Sequence, residues 1–485
     1  MVRKATTFEF VEYKADWETG ELEFRYKIMF EDGLSEEFAE RLILPIDSGQ
    51  ARMTKDDVID KVLQNLHFIL GISYYKLYCP KEIQIKPFSL TQNQAEFWNI
   101  VYTKGLGEFF YKNKIDYRGL VKFPFDETKQ ILKQVQDDTG GLSAHTNRAL
   151  VAIGGGKDSI VTAEILKKNK VDFTAFTLQN HKIQKEVIDT LGVQSIQVTR
   201  TLDPKLFELN KTGDVYNGHI PISAIYAFIS LLIGVLYNYK YLIFSNERSS
   251  NYGNIDYLGS EINHQWSKSE EFELLFQSFI HENVTPDVTY FSLLRPLYEI
   301  EIVRRFADMP QYHTIFSSCN RNFKYPLSFR IRQLADEKSQ SVKDERDLSP
   351  DLVGIEMTEK NSKKLWCGKC AKCAFVFCLL SAFFSKDKVI EIFGNNLYEN
   401  DYLVTTYKEL LGLSEVKPFD CVGTPEETKV AMNMAYQKGE YKDSKIMQLF
   451  ESDVLPTLDD IEALQQKLFT IYQSQNMPDL FKKMI

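Results

Sequence analysis

The chain has 485 residues, enough for about three domains of about 150 residues each and for large buried cores. Apolar residues make up 44% and charged ones 26%, the balance of an ordinary folded protein, which excludes collagenous, mucin-like and largely disordered chains. With 58 Lys and Arg against 67 Asp and Glu the net charge is −9, which argues against a nucleic-acid binder held by a broad phosphate-seeking surface and leaves small anionic substrates open.

The N-terminal stretch MVRKATTFEFVEYKADWETG is polar and amphipathic and lacks the continuous apolar core of a secretory signal, so the expected location is the cytoplasm. Residues 1–142 read as an α+β domain. Aromatic strands (FEFVEY, ELEFRYKIMFED) alternate with helical stretches such as TKDDVIDKVLQNLHFILGISYYKLY, and the aromatic helix AEFWNIVYTKGLGEFFYKN reads as core. The polar stretch QDDTGGLSAHTN is the expected linker.

From Arg148 strands alternate with helices: ALVAI, a Gly-rich turn, IVTAEILKKN, VDFTAFTL, IQKEVIDTLG and VQSIQVTR, then YLIFSNE. This βα series predicts a parallel sheet in a second domain, 143–345, with HTIFSSCN as its last strand after the helix EIEIVRRFADM. Ile220 to Tyr237 is eighteen residues without a charge, the lower limit for a membrane span. Pro221, Ser223, Ser230 and Gly234 interrupt it and a strand follows at once, so it reads as a buried helix and no stable membrane span is expected. The charged run DEKSQSVKDERDLSPD reads as an exposed excursion, and the third region, 346–485, as mostly helical.

Three features carry chemistry. The strand Leu150–Ile153 ends in Gly154, Gly155, Gly156, Lys157, Asp158 and Ser159 at a helix start, where free N–H groups and the helix dipole favour phosphate. GGGKDS is neither a Walker loop nor a dinucleotide fingerprint. Cys367, Cys370 and Cys373 form C-x2-C-x2-C, and Cys319 supplies a fourth thiol. The triple spacing also fits an iron–sulfur cluster, but four thiolates closing a site suit structural Zn²⁺ best. Lastly, the polar runs NGHIP, SNERSSNYGN and NHQWSKS follow apolar elements, and SNERS directly follows a parallel strand, where open α/β sheets bind ligands.

GGGKDS resembles the SGGxDS pyrophosphate loop of the N-type ATP pyrophosphatases, with Gly154 in the place of the Ser and one hydroxyl contact fewer. The order LLRPLYEIEIVRRF, SSCN, CGKCAKC is similar to the end of 7-cyano-7-deazaguanine synthases of the same group. The longer series GGGKDS, LDPKLFELN, NGHIP, SNERS, NHQWSKS, FSLLRPL, SCNR, WCGKCAKCAFVF and KPFDCVG resembles the UDP-N-acetylmuramoyl-L-alanyl-L-glutamate epimerase (MurL-type) family from about Leu150 to Gly423.

That resemblance implies a PP-loop (HUP-like) α/β domain joined to the helical region through a four-cysteine zinc site. It also implies ATP, Mg²⁺ and structural Zn²⁺ as cofactors, and UDP-MurNAc-L-Ala-L-Glu as the substrate whose terminal glutamate is inverted through an acyl-adenylate. Ser159 and the loop amides would hold pyrophosphate, Lys157 would add charge and Asp158 would help hold Mg²⁺. Arg248 and Lys268 are candidates for holding carboxylate or phosphate, and His264, His219, Glu247 and Cys421 for proton transfer. Two rival readings stay open at this point: another adenylating enzyme making an amide, nitrile or thioamide, and a non-catalytic nucleotide-binding regulator.

Overall fold

The computed structural model describes residues 2–45, 57–129, 147–321 and 365–485. Strands β1 (Ala5–Asp16), β2 (Glu21–Phe30) and β3 (Ser35–Ile43) form an antiparallel meander. Period-two patterning sends Leu22, Phe24, Tyr26 and Ile28 to one face, where all four are fully buried. Helix α1 (Asp57–Tyr75) covers that face. Gly71 permits the close approach: a Cβ there would stand 2.6 Å from the Phe10 ring. Strand β4 (Glu82–Ile85) pairs parallel with β1, and α2 (Gln92–Gly105) starts in a Thr91–Gln94 capping box and leads into α3 (Gly107–Lys112).

The parallel part follows the predicted alternation: β5 (Ala149–Ala152), α4 (Lys157–Lys168), β6 (Phe173–Leu178), α5 (Lys182–Leu191), β7 (Ser195–Thr201), α6 (Pro204–Thr212), α7 (Ile222–Leu236) and β8 (Tyr241–Phe244). A small hairpin, β9 (Ile255–Tyr257) and β10 (Ser260–Ile262), and helix α8 (Glu270–Asn283) precede β11 (Thr289–Ser292) and α9 (Glu299–Ala307). The main sheet has nine strands in the order β11-β8-β5-β6-β7-β3-β2-β1-β4. Five of them run parallel, and the meander continues the same sheet through antiparallel pairing of β3 with β7. Beside that seam the buried Arg200 and Glu40 meet at 2.6 Å, and Arg200 also donates to Ser73 Oγ on α1 at 2.9 Å.

The uncharged run folds as α7, buried almost throughout, and no described helix is long and apolar enough to cross a membrane. The linker stretch, save its last residue, and the charged excursion lie outside the described residues. One expected strand is corrected. HTIFSSCN forms none; the chain there makes a turn at Pro310–Tyr312 and then runs irregularly, with Ser317 N–H bonded to the Gly155 carbonyl at 3.0 Å. Its backbone closes local turns onto Pro310 and Tyr312 and meets the glycine turn at Ser317, whereas the edge strand is the short TYFS of β11, whose last three residues are buried. After Cys370 the chain is mostly helical, with Ala371–Phe383 packed against Pro425–Lys438.

Candidate active site

The glycine turn joins β5 to α4. Gly155 has φ +84°, and a Cβ on it would come within 2.7 Å of Ile183 Cγ2, so this position requires glycine. Gly156 is the N-cap residue of α4, and no side chain among the described residues caps the helix, a terminus of the kind that suits an anion. Ser318 Oγ, whose Cβ lies 3.3 Å from where a Gly156 Cβ would sit, is buried and has no hydrogen-bond partner among the described residues. Gly154 is exposed, and a side chain there would meet nothing within 4 Å.

Lys157 does not reach into solvent. It is fully buried, with Nζ 2.6 Å from Glu299 Oε1 and 2.7 Å from Asp158 Oδ1. Glu299, at the start of α9, takes a second ammonium at 2.7 Å from Lys372, which stands between Cys370 and Cys373 in sequence. Burial pushes the Glu299 carboxyl up, but the two lysines outweigh it and hold the group well below its ordinary range. Glu247, just past β8, is buried and has no ion-pair partner among the described residues. Burial first and then the negative charge of Glu299 raise its pKa to about 7, so it can take or give a proton near neutrality. The strand end that carries Glu247 is anchored by Arg295, which donates to the carbonyls of Glu247 and Lys268 at 2.7 and 2.6 Å and pairs with Glu273 at 2.9 Å. Arg295 sits in FSLLRPL, a motif whose arginine has no role evident from the sequence.

Lys268, Cys421, His264 and His219 converge although they come from three distant stretches of chain. Lys268 Nζ lies 3.3 Å from Cys421 Sγ, and His264 Nε2 lies 3.8 Å from the same sulfur. The other nitrogen of His264 bonds Glu108 of α3, whose carboxylate is 3.6 Å from His219 Nδ1; the two imidazoles lie 4.4 Å apart. Burial alone would raise the Cys421 thiol, but Lys268 and His264 overcome it and lower its pKa to about 6. Burial would likewise lower His264, but Cys421 and Glu108 raise it to about 9. His219 is held well below its usual value by burial and then by His264. Between about 6 and about 9 the pair is therefore a thiolate beside an imidazolium. Arg248 stands apart: its guanidinium packs 4.0 Å over the ring of Tyr472. Glu108, Glu299, Lys372 and Arg295 are absent from the candidates that the sequence offers.

The four predicted thiols also converge. Cys367 and Cys370 lie 3.6 and 3.5 Å from Cys373, and the sulfurs of these three and Cys319 all fall within 4.8 Å of one another. Metal–sulfur bonds of about 2.3 Å in a tetrahedron require S···S separations of about 3.8 Å, so this set fits a four-coordinate metal. The backbone N–H of Lys369 points at Cys367 Sγ at 3.4 Å, stabilising negative charge on the sulfur.

The fold and the site thus define an α/β protein with a glycine turn at a helix N-terminus, a four-cysteine cluster and a half-buried polar group of Cys421, His264, His219, Glu108 and Lys268. Residues 1–293 match the MurL N-terminal domain and residues 355–465 the MurL C-terminal domain. A protein of Xanthomonas oryzae pv. oryzae named UDP-N-acetyl-alpha-D-muramoyl-L-alanyl-L-glutamate epimerase is 34% identical over 98% of this chain and 95% of its own length. Proteins of the same name from Micromonospora sp. and Salinispora tropica are 31% and 32% identical, over 99% and 92% of this chain and 98% and 88% of theirs. The chain belongs to the MurL family.

Proposed function

We propose that this enzyme inverts the terminal L-glutamate of UDP-MurNAc-L-Ala-L-Glu to D-glutamate in peptidoglycan precursor synthesis, using ATP to form an acyl-adenylate. One observation carries the reading. A glycine turn suited to phosphate lies in one electrostatic network with the buried Glu247 carboxyl and with the Cys421 thiol, which Lys268 and His264 contact at 3.3 and 3.8 Å. The relatives named above bear the name of that epimerase.

The chemistry requires such a combination. Taking the α-proton from a carbon beside an ionised carboxylate would load a second negative charge onto an anion. Joining the carboxylate to AMP removes its charge and makes its carbonyl an electron sink, which lowers the barrier to proton removal. In this reading the α4 amides with Gly154, Gly155, Gly156 and Ser159 hold pyrophosphate, as in a PP-loop ATP pyrophosphatase, and Asp158 helps bind Mg²⁺, which would neutralise phosphate charge. Lys157 and Lys372 set the field of that pocket through Glu299. Lys268 lies against Cys421 and within the electrostatic reach of Glu247, and its pKa is raised, burial notwithstanding, by those two groups. It is placed to hold the glutamyl carboxylate or its carbonyl oxygen while Cys421 and Glu247 exchange the proton on opposite faces. His264 holds Cys421 ionised, His219 lines the same cluster, and Arg248, packed over the Tyr472 ring, is a separate candidate for carboxylate or phosphate.

Zn²⁺ on Cys319, Cys367, Cys370 and Cys373 would fasten region 346–485 to region 143–345, with region 1–142 completing the sheet, in a cytoplasmic enzyme. Pure protein given ATP, Mg²⁺ and UDP-MurNAc-L-Ala-L-Glu in D₂O, with no ammonia or sulfur donor, should yield AMP, pyrophosphate and D-glutamate carrying deuterium at Cα after acid hydrolysis. L-Glutamate left unchanged while AMP accumulates would refute the epimerase and keep the adenylation.

A further inference from the structure

Glu108 comes from the region before the parallel strands, on a short helix whose neighbouring residues Phe109 and Phe110 are fully buried core. Its carboxylate bonds His264 Nδ1 and leaves Nε2 of the same ring facing Cys421 Sγ at 3.8 Å. A carboxylate on one imidazole nitrogen fixes the tautomer, orients the ring and favours its protonated form. The placement is built from several sides. Asn113, the residue after α3, donates to the Asn217 carbonyl at 3.0 Å, and the buried Lys76 of the same region donates to the Gly218 carbonyl at 3.0 Å. The turn that carries His219 is thereby held against α3, and on the other side a Cβ on Gly107 would meet Ile262 Cδ1 of β10 at 3.3 Å.

We propose that Glu108 is a positioning residue of the reaction: through His264 it keeps Cys421 ionised and aimed, so the N-terminal region completes the catalytic centre. The proposal rests on reading Cys421 as a proton-transfer group. The charged and titratable groups facing this set are Lys268, Lys372 and Lys417 around Cys421, and His264, Lys76 and Lys268 around His219. Glu108 is the anion that directly contacts both rings.

The test compares wild type with Glu108→Gln, Glu108→Asp and His264→Gln, using iodoacetamide as the probe. Alkylation of Cys421 is followed across pH by peptide mass mapping with Cys421→Ala as the blank, alongside kcat and the KM for ATP. In E108Q the alkylation profile should move about one unit to higher pH. Its kcat should fall about 10- to 100-fold with the KM for ATP unchanged, and E108D should recover part of both. In the H264Q background, E108Q should add no further shift. A wild-type alkylation profile in folded E108Q, or an equal shift with and without His264, would overturn the coupling. A C421A enzyme that still epimerises would instead overturn the role given to Cys421, and with it the catalytic consequence of Glu108.

Discussion

Replacing Glu299 by Gln removes one charge from the centre of a buried trio. In the native protein its Oε1 takes Lys157 at 2.6 Å and Lys372 at 2.7 Å. At an effective dielectric of about 20 each contact is worth roughly 6 kcal/mol of Coulomb attraction, most of which offsets the cost of burying the charges. The substitution does not affect the two lysines equally, since Lys157 keeps Asp158 at 2.7 Å, whereas Glu299 is the only carboxylate in ion-pair contact with Lys372 among the described residues. The expected loss is that of orphaning one buried cation, about 3–5 kcal/mol, read as a lower urea midpoint at pH 7 with unchanged slope. Lys372→Met should make the same E299Q change cheaper by about 1–3 kcal/mol, since the stranded charge is then absent. Because the Glu299 pKa is depressed, its contribution is present above the ordinary carboxyl value of 4.5 and fades as pH falls through the folded value, so wild type and E299Q should converge in acid. An E299Q loss below about 1 kcal/mol, or one indifferent to Lys372, would refute this account of the trio.

Other consequences are as direct. Cys421 has a depressed pKa and His264 a raised one, so the ion pair is lost as pH falls through about 6 or rises through about 9; kcat should be bell-shaped between those limits, and a flat profile would contradict the assignment. The purified protein should contain one zinc per chain by elemental analysis, and Cys373→Ser should lose the metal and lower the urea midpoint. Gly155→Ala forces a Cβ against Ile183 at a positive φ and should cost about 1–3 kcal/mol and raise the KM for ATP, as measured by pyrophosphate release. Gly154→Ser meets open space and should leave the urea midpoint unchanged, while a lowered KM for ATP would show that the added hydroxyl reaches pyrophosphate.

Sequence reasoning located candidates where the residues lie close together in the chain. The glycine turn and the C-x2-C-x2-C run declare themselves within a few residues, and Cys319 could be joined to the latter through its place in a series of motifs. It failed where a role depends on distance along the chain. Glu108 meets His264 across 156 positions and sits in an aromatic helix whose pattern reads only as core. Arg295 looks like one arginine in an apolar run, yet its burial and four hydrogen bonds make it the anchor of the Glu247 and Lys268 backbones. HTIFSSCN has strand composition but closes turns onto Pro310 and Tyr312, bonds the glycine turn and Leu365 through Ser317 and ends by placing the Cys319 thiol, demands that outweigh local propensity.

The pairing of β3 with β7 bears on how the chain is made. Without its first hundred or so residues the protein would present β7 as a bare edge with Arg200 stripped of Glu40, a template for joining other chains edge to edge. Synthesis runs in the favourable direction, because β3 leaves the ribosome well before β7 and waits as its cover. A shortened version built to isolate the glycine turn and the cysteine cluster should therefore precipitate rather than serve as a minimal enzyme.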